Sequence, residues 1–306
     1  MPESVNKGPS SSAPAGEKIR KTAKPKKKKA GTFGTALANT PFVVWSAAFI
    51  IIPLLFVLYY SFFDPEKGFS IEYIKVFFTE PMYMKAFGLS ALYSVIATLI
   101  SLVIAYPFAY FLSKVSPASQ RLQMVLIMLP MWMNMLLRTY SWNQILQDNG
   151  LINKLLGVFG ISSVHFLGTP GAVILGMVYN YLPYMILPIY TAMSKIDRPL
   201  LEASEDLGCN GFQKLRRVIF PLSLSGVISG VIMVFVPSIS TFYISQKMSL
   251  GKVTLIGDII EQQIKLHYAE GGLNRGAAMS LVLMIIILIA TFIMNRFSDE
   301  DEGVLM

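Results

Sequence analysis

Charge is scarce in this sequence. Only 14% of its 306 residues are Asp, Glu, Lys or Arg, against about 25% in a typical soluble domain, which argues against a water-surrounded globule. Cysteine occurs once, as Cys209, so an internal disulfide and a cysteine-built metal site are both excluded. The two histidines, His165 and His267, stand far apart without ligand spacing and read as surface or interfacial residues. So little histidine leaves no Ser/His/Asp or Cys/His set on which to build a nucleophilic catalyst. No stretch reads G-x-x-x-x-G-K-[ST]; Gly251-Lys252 is followed by Val253, so that phosphate cradle is missing too. An enzyme is not expected.

Apolar residues make up 54% of the chain and gather into long runs. A run of about 18 or more with few charges can cross a bilayer. Backbone in lipid must satisfy its own hydrogen bonds, so such runs are helices. Six runs stand out, over residues 42–62, 86–112, 122–137, 171–193, 222–244 and 277–295. The expected fold class is therefore all-α, a polytopic membrane protein with six transmembrane helices. Pro53, Pro183, Pro188 and Pro237 fall inside runs and are read as kinks, because neighbouring helices can satisfy the carbonyls they free. Seventeen of the 26 lysines and arginines lie in the N-terminal segment, the 113–121 loop, the 194–217 loop and the C-terminal end; nine lie in the other loops. The positive-inside rule then predicts that both termini and those two loops are cytoplasmic.

Residues 1–41 form a separate zone rich in Ser, Pro, Ala and Lys, with the run Lys26-Lys27-Lys28-Lys29. Such a segment buries too little apolar area to fold, and a disordered basic cytoplasmic tail is expected. Without aromatics among its lysines it suits anionic lipid rather than nucleic acid. The first apolar run starts only at Phe42 and is too long for the core of a secretory signal. The six-helix domain then spans 42–297, with a short acidic cytoplasmic tail over 298–306. In the outer loop 138–170, Leu151, Ile152, Leu155, Leu156 and Phe159 form one apolar stripe. A helix there should lie at the outer interface or on the bundle.

The most informative cytoplasmic loop is 195–221, KIDRPLLEASEDLGCNGFQKLRRVIFP. Asp197 suits an N-cap and Pro199 a first turn. Leu200, Ala203 and Leu207 fall at i, i+3 and i+7, opposite Glu202, Glu205 and Asp206. Gly208 can take the left-handed conformation that stops a helix. A second short helix over 212–219 should run to Pro221. On these residues alone, a helix lying on lipid competes with one that docks into a partner's groove.

Glu202-Ala203-Ser204, then Gly208, then Val218-Ile219-Phe220-Pro221, resembles the cytoplasmic E-A-A, G, I-x-L-P signature of ABC importer permeases. The spacing matches, with Ser204, Val218 and Phe220 as modest departures. Residues 106–112 (YPFAYFL), 134–140 (NMLLRTY) and 202–208 (EASEDLG) are similar to the B-type spermidine/putrescine permeases, a likeness covering about 42–297. The resemblance implies a type I permease fold in the bacterial cytoplasmic membrane. It implies that Glu202, Ala203, Ser204 and Gly208, with Leu200, Leu207 and Pro221 about them, couple the spans to ABC ATPase subunits. ATP and Mg would sit on those subunits, with no cofactor on this chain. A second permease and an extracytoplasmic solute-binding protein would complete the machine. Permeases for other small solutes share much of the pattern, so another cargo is the alternative; a self-contained secondary transporter is a further one, disfavoured by the lack of intramembrane acids.

No apolar run holds a central Asp or Glu, so a path for a polycation must use amides and aromatic faces, which bind ammonium by cation–π attraction. Asn180 lies mid-run beside Tyr179 and Tyr184, and is the centre of the expected path. Tyr243, Trp142 and Asp148 are expected near the entrance. The competing reading is that Asn180 simply bonds a neighbouring helix.

Overall fold

In the computed structural model the described residues are 40–64, 68–266 and 271–304, with side chains described as far as Arg296. The expectations for the basic arm over 1–39, for His267 and for the side chains of the acidic end lie outside them. The chain divides into two compact units, Met1–Ile52 and Pro53–Met306.

Helix α1 is Thr40–Phe62. A small antiparallel pair follows, β1 (Phe63–Asp64) with β2 (Gly68–Phe69). The other helices are α2 (Glu72–Thr79), α3 (Pro81–Lys114), α4 (Pro117–Trp132), α5 (Met135–Leu146), α6 (Leu151–Val158), α7 (Pro170–Ser194) and α8 (Arg198–Asp206). Then come α9 (Gly211–Leu222), α10 (Leu224–Ile239), α11 (Tyr243–Ser249), α12 (Ile256–Leu266) and α13 (Gly272–Val304). Among the described residues α1, α3, α7 and α13 are each long and apolar enough to cross a membrane. Two bent pairs add two spans if each counts as one: Pro117–Trp132 with Met135–Val158, bent by 91°, and Gly211–Leu222 with Leu224–Ile239, bent by 67°.

Those bends correct two expected spans. The 122–137 run is not one straight helix: α4 stops at Trp132, just after Pro130, and the chain turns at Met133. Asn134 then caps α5 by accepting from the Leu136 N–H at 2.8 Å. The 222–244 run is broken at both ends, at Ser223 and again at Ser240, so Tyr243 opens α11 instead of closing α10. The prolines inside α7 and α10 leave those helices continuous, as expected. Two turns wind as π-helix, Ala47–Ile51 and Leu215–Ile219. Each stands just ahead of a proline, Pro53 or Pro221, whose missing N–H frees a carbonyl one turn back.

The core is three helices, α3, α7 and α10, packed on one another. Between helices in lipid, association comes from close backbone packing rather than the hydrophobic effect, and small residues permit it. On α3 the buried face holds Ala97, Ala105 and Ala109; on α10 it holds Gly226 and Gly230. Thr169 starts α7 by accepting from the Ala172 N–H, with Pro170 at the first position. A second cluster, including Phe77, Tyr83, Ile239, Ile256 and Met279, gathers α2, α12 and α13 against the ends of α3 and α10.

Candidate functional site

Two regions carry the candidate residues. The first is the loop between α7 and α10. Asp197 takes the N-cap position of α8, but its side chain makes no capping bond. Gly208 has φ +81°. The Cys209 N–H reaches back to the Ser204 carbonyl at 3.0 Å, and the Gly208 N–H to that of Glu205 at 2.8 Å. This is the Schellman closure, which requires a left-handed residue at that point. Helix α9 begins with a reciprocal box: Asn210 accepts from the Gln213 N–H, and the Gln213 side chain accepts from the Asn210 N–H. Lys214 pairs with Glu205 and so ties α9 to α8. Hydrogen bonding to Lys214 holds the Glu205 carboxyl below the usual carboxylate range.

The face of α8 turned inward is that of Leu201 and Ser204, and the apolar stripe faces outward. Leu201 packs against the main core and Ser204 is buried. Leu200, Ala203 and Glu202 point outward, Leu207 is 86% exposed, and Phe212 on α9 is 71% exposed. Leu200, Leu207 and Phe212 are thus apolar surface that no described residue covers. Pro221 sits within α9, on an exposed position. A cleft of about 650 Å³ lies between α7, α8 and α10, with Lys195, Asp197, Leu200 and the hydroxyl residues Thr191, Ser225 and Ser229 on its walls. It joins the α8 surface to the spans.

The second region is the junction of α5 with α7. The Trp142 and Tyr179 rings meet edge to face with centroids 5.2 Å apart. Asn180 is only 1% exposed; its Nδ2 donates to the Gly176 carbonyl at 2.9 Å and to Thr139 Oγ1 at 3.4 Å, while its Oδ1 receives nothing. The structure therefore brings Trp142, Tyr179 and Asn180 together. Tyr184 lies one turn further along α7 on an exposed position. Tyr243 lies under Lys247, whose Nζ is 5.8 Å from the ring centroid. Asp148 is engaged by His165 Nδ1 at 2.7 Å, so neither it nor Tyr243 joins the Asn180 group. In the 138–170 loop, α6 buries Asn153, which bonds the Gln147 carbonyl and both backbone groups of Val164.

Two buried charged residues escape the sequence reading. Arg138, in the first turn of α5, is 6% exposed, and its Nε and Nη1 have no acceptor. It stood at a run boundary, but it lies one turn before Trp142 and so shares a helix face with it. Asp258, on α12, is buried; it accepts from Ser245 Oγ at 2.7 Å and from the Leu255 N–H at 2.8 Å. Burial pushes its carboxyl up to about 6, although both hydrogen bonds favour the ionised form. Only its place three residues after Leu255, a helix-start pattern, signals it in sequence.

Comparison with known proteins fits this arrangement. The model of the binding-protein-dependent transport system inner membrane component family matches residues 89–299. The chain is 37% identical over 261 residues to the spermidine/putrescine transport system permease protein PotB of Haemophilus influenzae, covering 82% of this chain and 90% of that protein. Against PotB of Escherichia coli it is 35% identical over 255 residues, with 80% and 90% covered. A chain from the crystal structure of a bacterial ABC transporter that imports the acidic polysaccharide alginate superposes with TM-score 0.73 at 15% identity, covering 88% of this chain and 96% of that one. At that identity the likeness speaks for the fold alone.

Proposed function

The chain belongs to the binding-protein-dependent transport system inner membrane component family, and from that premise we propose that it is the polyamine-carrying permease of an ABC importer. It is a non-catalytic, multi-pass membrane subunit; spermidine and putrescine are the proposed cargo. The observation that carries this choice is the similarity along 90% of a spermidine/putrescine permease. Supporting it, the Trp142 and Tyr179 rings beside the buried Asn180 offer π faces to an ammonium. ATP and Mg belong to separate ATPase subunits in this reading, and a second permease and an extracytoplasmic solute-binding protein complete the importer.

The proposed work of this chain is mechanical. When two ATPase subunits close, a rigid element must carry that motion to the spans. Helix α8 is short, capped by Gly208 and anchored on its inner side by Leu201 and Ser204. Its outer side presents Leu200, Ala203, Glu202 and Leu207 to a groove on the ATPase. A helix laid into a groove by such anchors is a common docking mode.

The test is made on the reconstituted importer. Spermidine or putrescine with the binding protein is expected to stimulate ATP hydrolysis. Tyr179→Ala and Asn180→Ala are expected to impair uptake while the assembly still purifies intact. Normal uptake in both variants removes this part of α7 from the path; no stimulation by either polyamine redirects the proposal to another small solute.

Orientation has its own check. Both termini and the α7–α10 loop are proposed to be cytoplasmic, from the distribution of Lys and Arg. In intact cells an impermeant thiol reagent should miss Cys209. It should label a cysteine at Lys154, the exposed neighbour of the buried Asn153, once Cys209→Ser has removed the native thiol. Labelling of Cys209 without permeabilisation overturns the orientation.

A further inference from the structure

Arg138 is a buried cation with no anion beside it among the described residues. Its guanidinium has five donors, and Nε and Nη1 are both enclosed and unpartnered. The residue beside it, Thr139, receives the Asn180 amide. Asn180 lies ten residues into α7, about 15 Å from its start at 1.5 Å per residue, close to half of a hydrocarbon core about 30 Å thick. A charge held at that depth is expensive unless paired.

No described residue of this chain supplies the anion. Among the described residues, Asp148 is engaged by His165, Asp258 by Ser245 and the Leu255 N–H, Glu261 by Lys265 and Gln246, and Glu205 by Lys214. None of them reaches Arg138, and the six apolar runs contain no Asp or Glu. The side of the chain that carries Arg138 is also open. Helix α4 buries no residue, and on α5 Leu136, Leu137 and Tyr140 are exposed beside Arg138.

We infer that Arg138 takes a carboxylate from the second permease subunit, forming an ion pair between the subunits near the middle of the membrane. The inference rests on the two-permease reading above. A carboxylate forms charge-assisted hydrogen bonds with a guanidinium, about twice as strong as neutral ones. Lipid phosphates lie at the bilayer surfaces, half a membrane away, and a polyamine cargo is repelled by an arginine. The pair would cancel a positive charge next to the amide and aromatic group through which a polycation is proposed to pass.

The whole importer is the test material. Arg138→Met should lower uptake roughly a hundredfold, as expected when one side of a buried pair is removed, and should reduce the second permease recovered with this chain. In that background each Asp and Glu in the spans of the second permease is neutralised in turn, and one such change should restore assembly. Independently of whether Arg138→Met inserts, a benzophenone amino acid placed at the exposed Leu137 should capture the second permease on irradiation. Capture of lipid alone, wild-type uptake by Arg138→Met, or no rescue by any neutralisation overturns the inference. If instead the wild-type chain purifies with no second permease, the two-permease reading itself falls.

Discussion

Replacing Gly208 by valine is expected to cut solute uptake at least about tenfold while the chain still inserts and its spans still pack. The physics is local. A Cβ built at Gly208 meets no atom within 4 Å, so no clash propagates into the core. The cost is in the backbone, which sits at φ +81°. A residue with a Cβ pays about 1–2 kcal/mol there, and a β-branched one is a true outlier. The chain relieves that strain by opening the turn between α8 and α9, which redirects the outward face of α8. Glu202→Lys attacks the same surface chemically: it reverses an exposed charge without touching the Leu201 and Ser204 anchor. Both variants should leave ATPase subunits that co-purify weakly, or that hydrolyse ATP without transport, whereas Gly208→Asn should be the mildest change because Asn tolerates the left-handed region. Normal import by Gly208→Val and Glu202→Lys, with the ATPase normally attached, would mean that α8 is not the coupling element.

Gly208 was readable in the sequence because a glycine that ends an amphipathic helix has few other uses. The same loop shows where pattern reading stops. Leu200, Ala203 and Leu207 form an apolar stripe by spacing, but a helix of nine residues carries apolar side chains on more than one side. Spacing cannot say that Leu201 and Ser204 are the pair turned to the core. Long spans were legible where the run was unbroken, as in α7, with Thr169 and Pro170 marking its start. They were misread where a turn hides inside apolar sequence. At Asn134 the cap chemistry was present, but methionine and leucine on both sides masked it. At Ser223 the 67° bend falls two residues after Pro221, a signal that reads as a helix end without giving the size of the turn.

The candidate site follows the same division. Residue type at mid-run selects Tyr179 and Asn180, nearness to a run end selects Trp142, and the α5–α7 packing joins Trp142 to Tyr179. Tyr243 and Asp148 were chosen by nearness to run ends, and local partners, Lys247 and His165, engage them instead. A charge outside an apolar run is normally solvated, so sequence alone does not single out Arg138 or Asp258. Only the fold of α5 back over α7, and of α12 against α3 and α13, encloses them. Burial of a loop charge is a tertiary property, and no local pattern encodes it.

Valine at Gly226 is expected to act in the opposite way to valine at Gly208, by destroying the fold and not the coupling. A Cβ at Gly226 would stand 2.5 Å from Ala192 Cβ and 2.7 Å from the Pro188 carbonyl oxygen. The obstruction on the α7 side is backbone, at a proline that cannot shift without moving the helix. Helices α7 and α10 must then separate, and the Met185, Val227 and Val234 contacts of the core loosen with them. Overpacking of this kind costs typically about 1–3 kcal/mol, and a rigid obstacle places it at the upper end. The chain should accumulate poorly in the membrane and aggregate at a lower temperature in detergent, with or without the ATPase. Gly230→Ala is the graded control: its nearest obstacle, at 2.8 Å, is the Met185 sulfur, with the Met185 carbonyl oxygen at 3.2 Å, and a flexible thioether yields where a proline backbone does not. The expected order of stability is therefore wild type, then Gly230→Ala, then Gly226→Ala, then Gly226→Val. If Gly226→Val and wild type aggregate at the same temperature, the close α7–α10 approach is not what holds the core together.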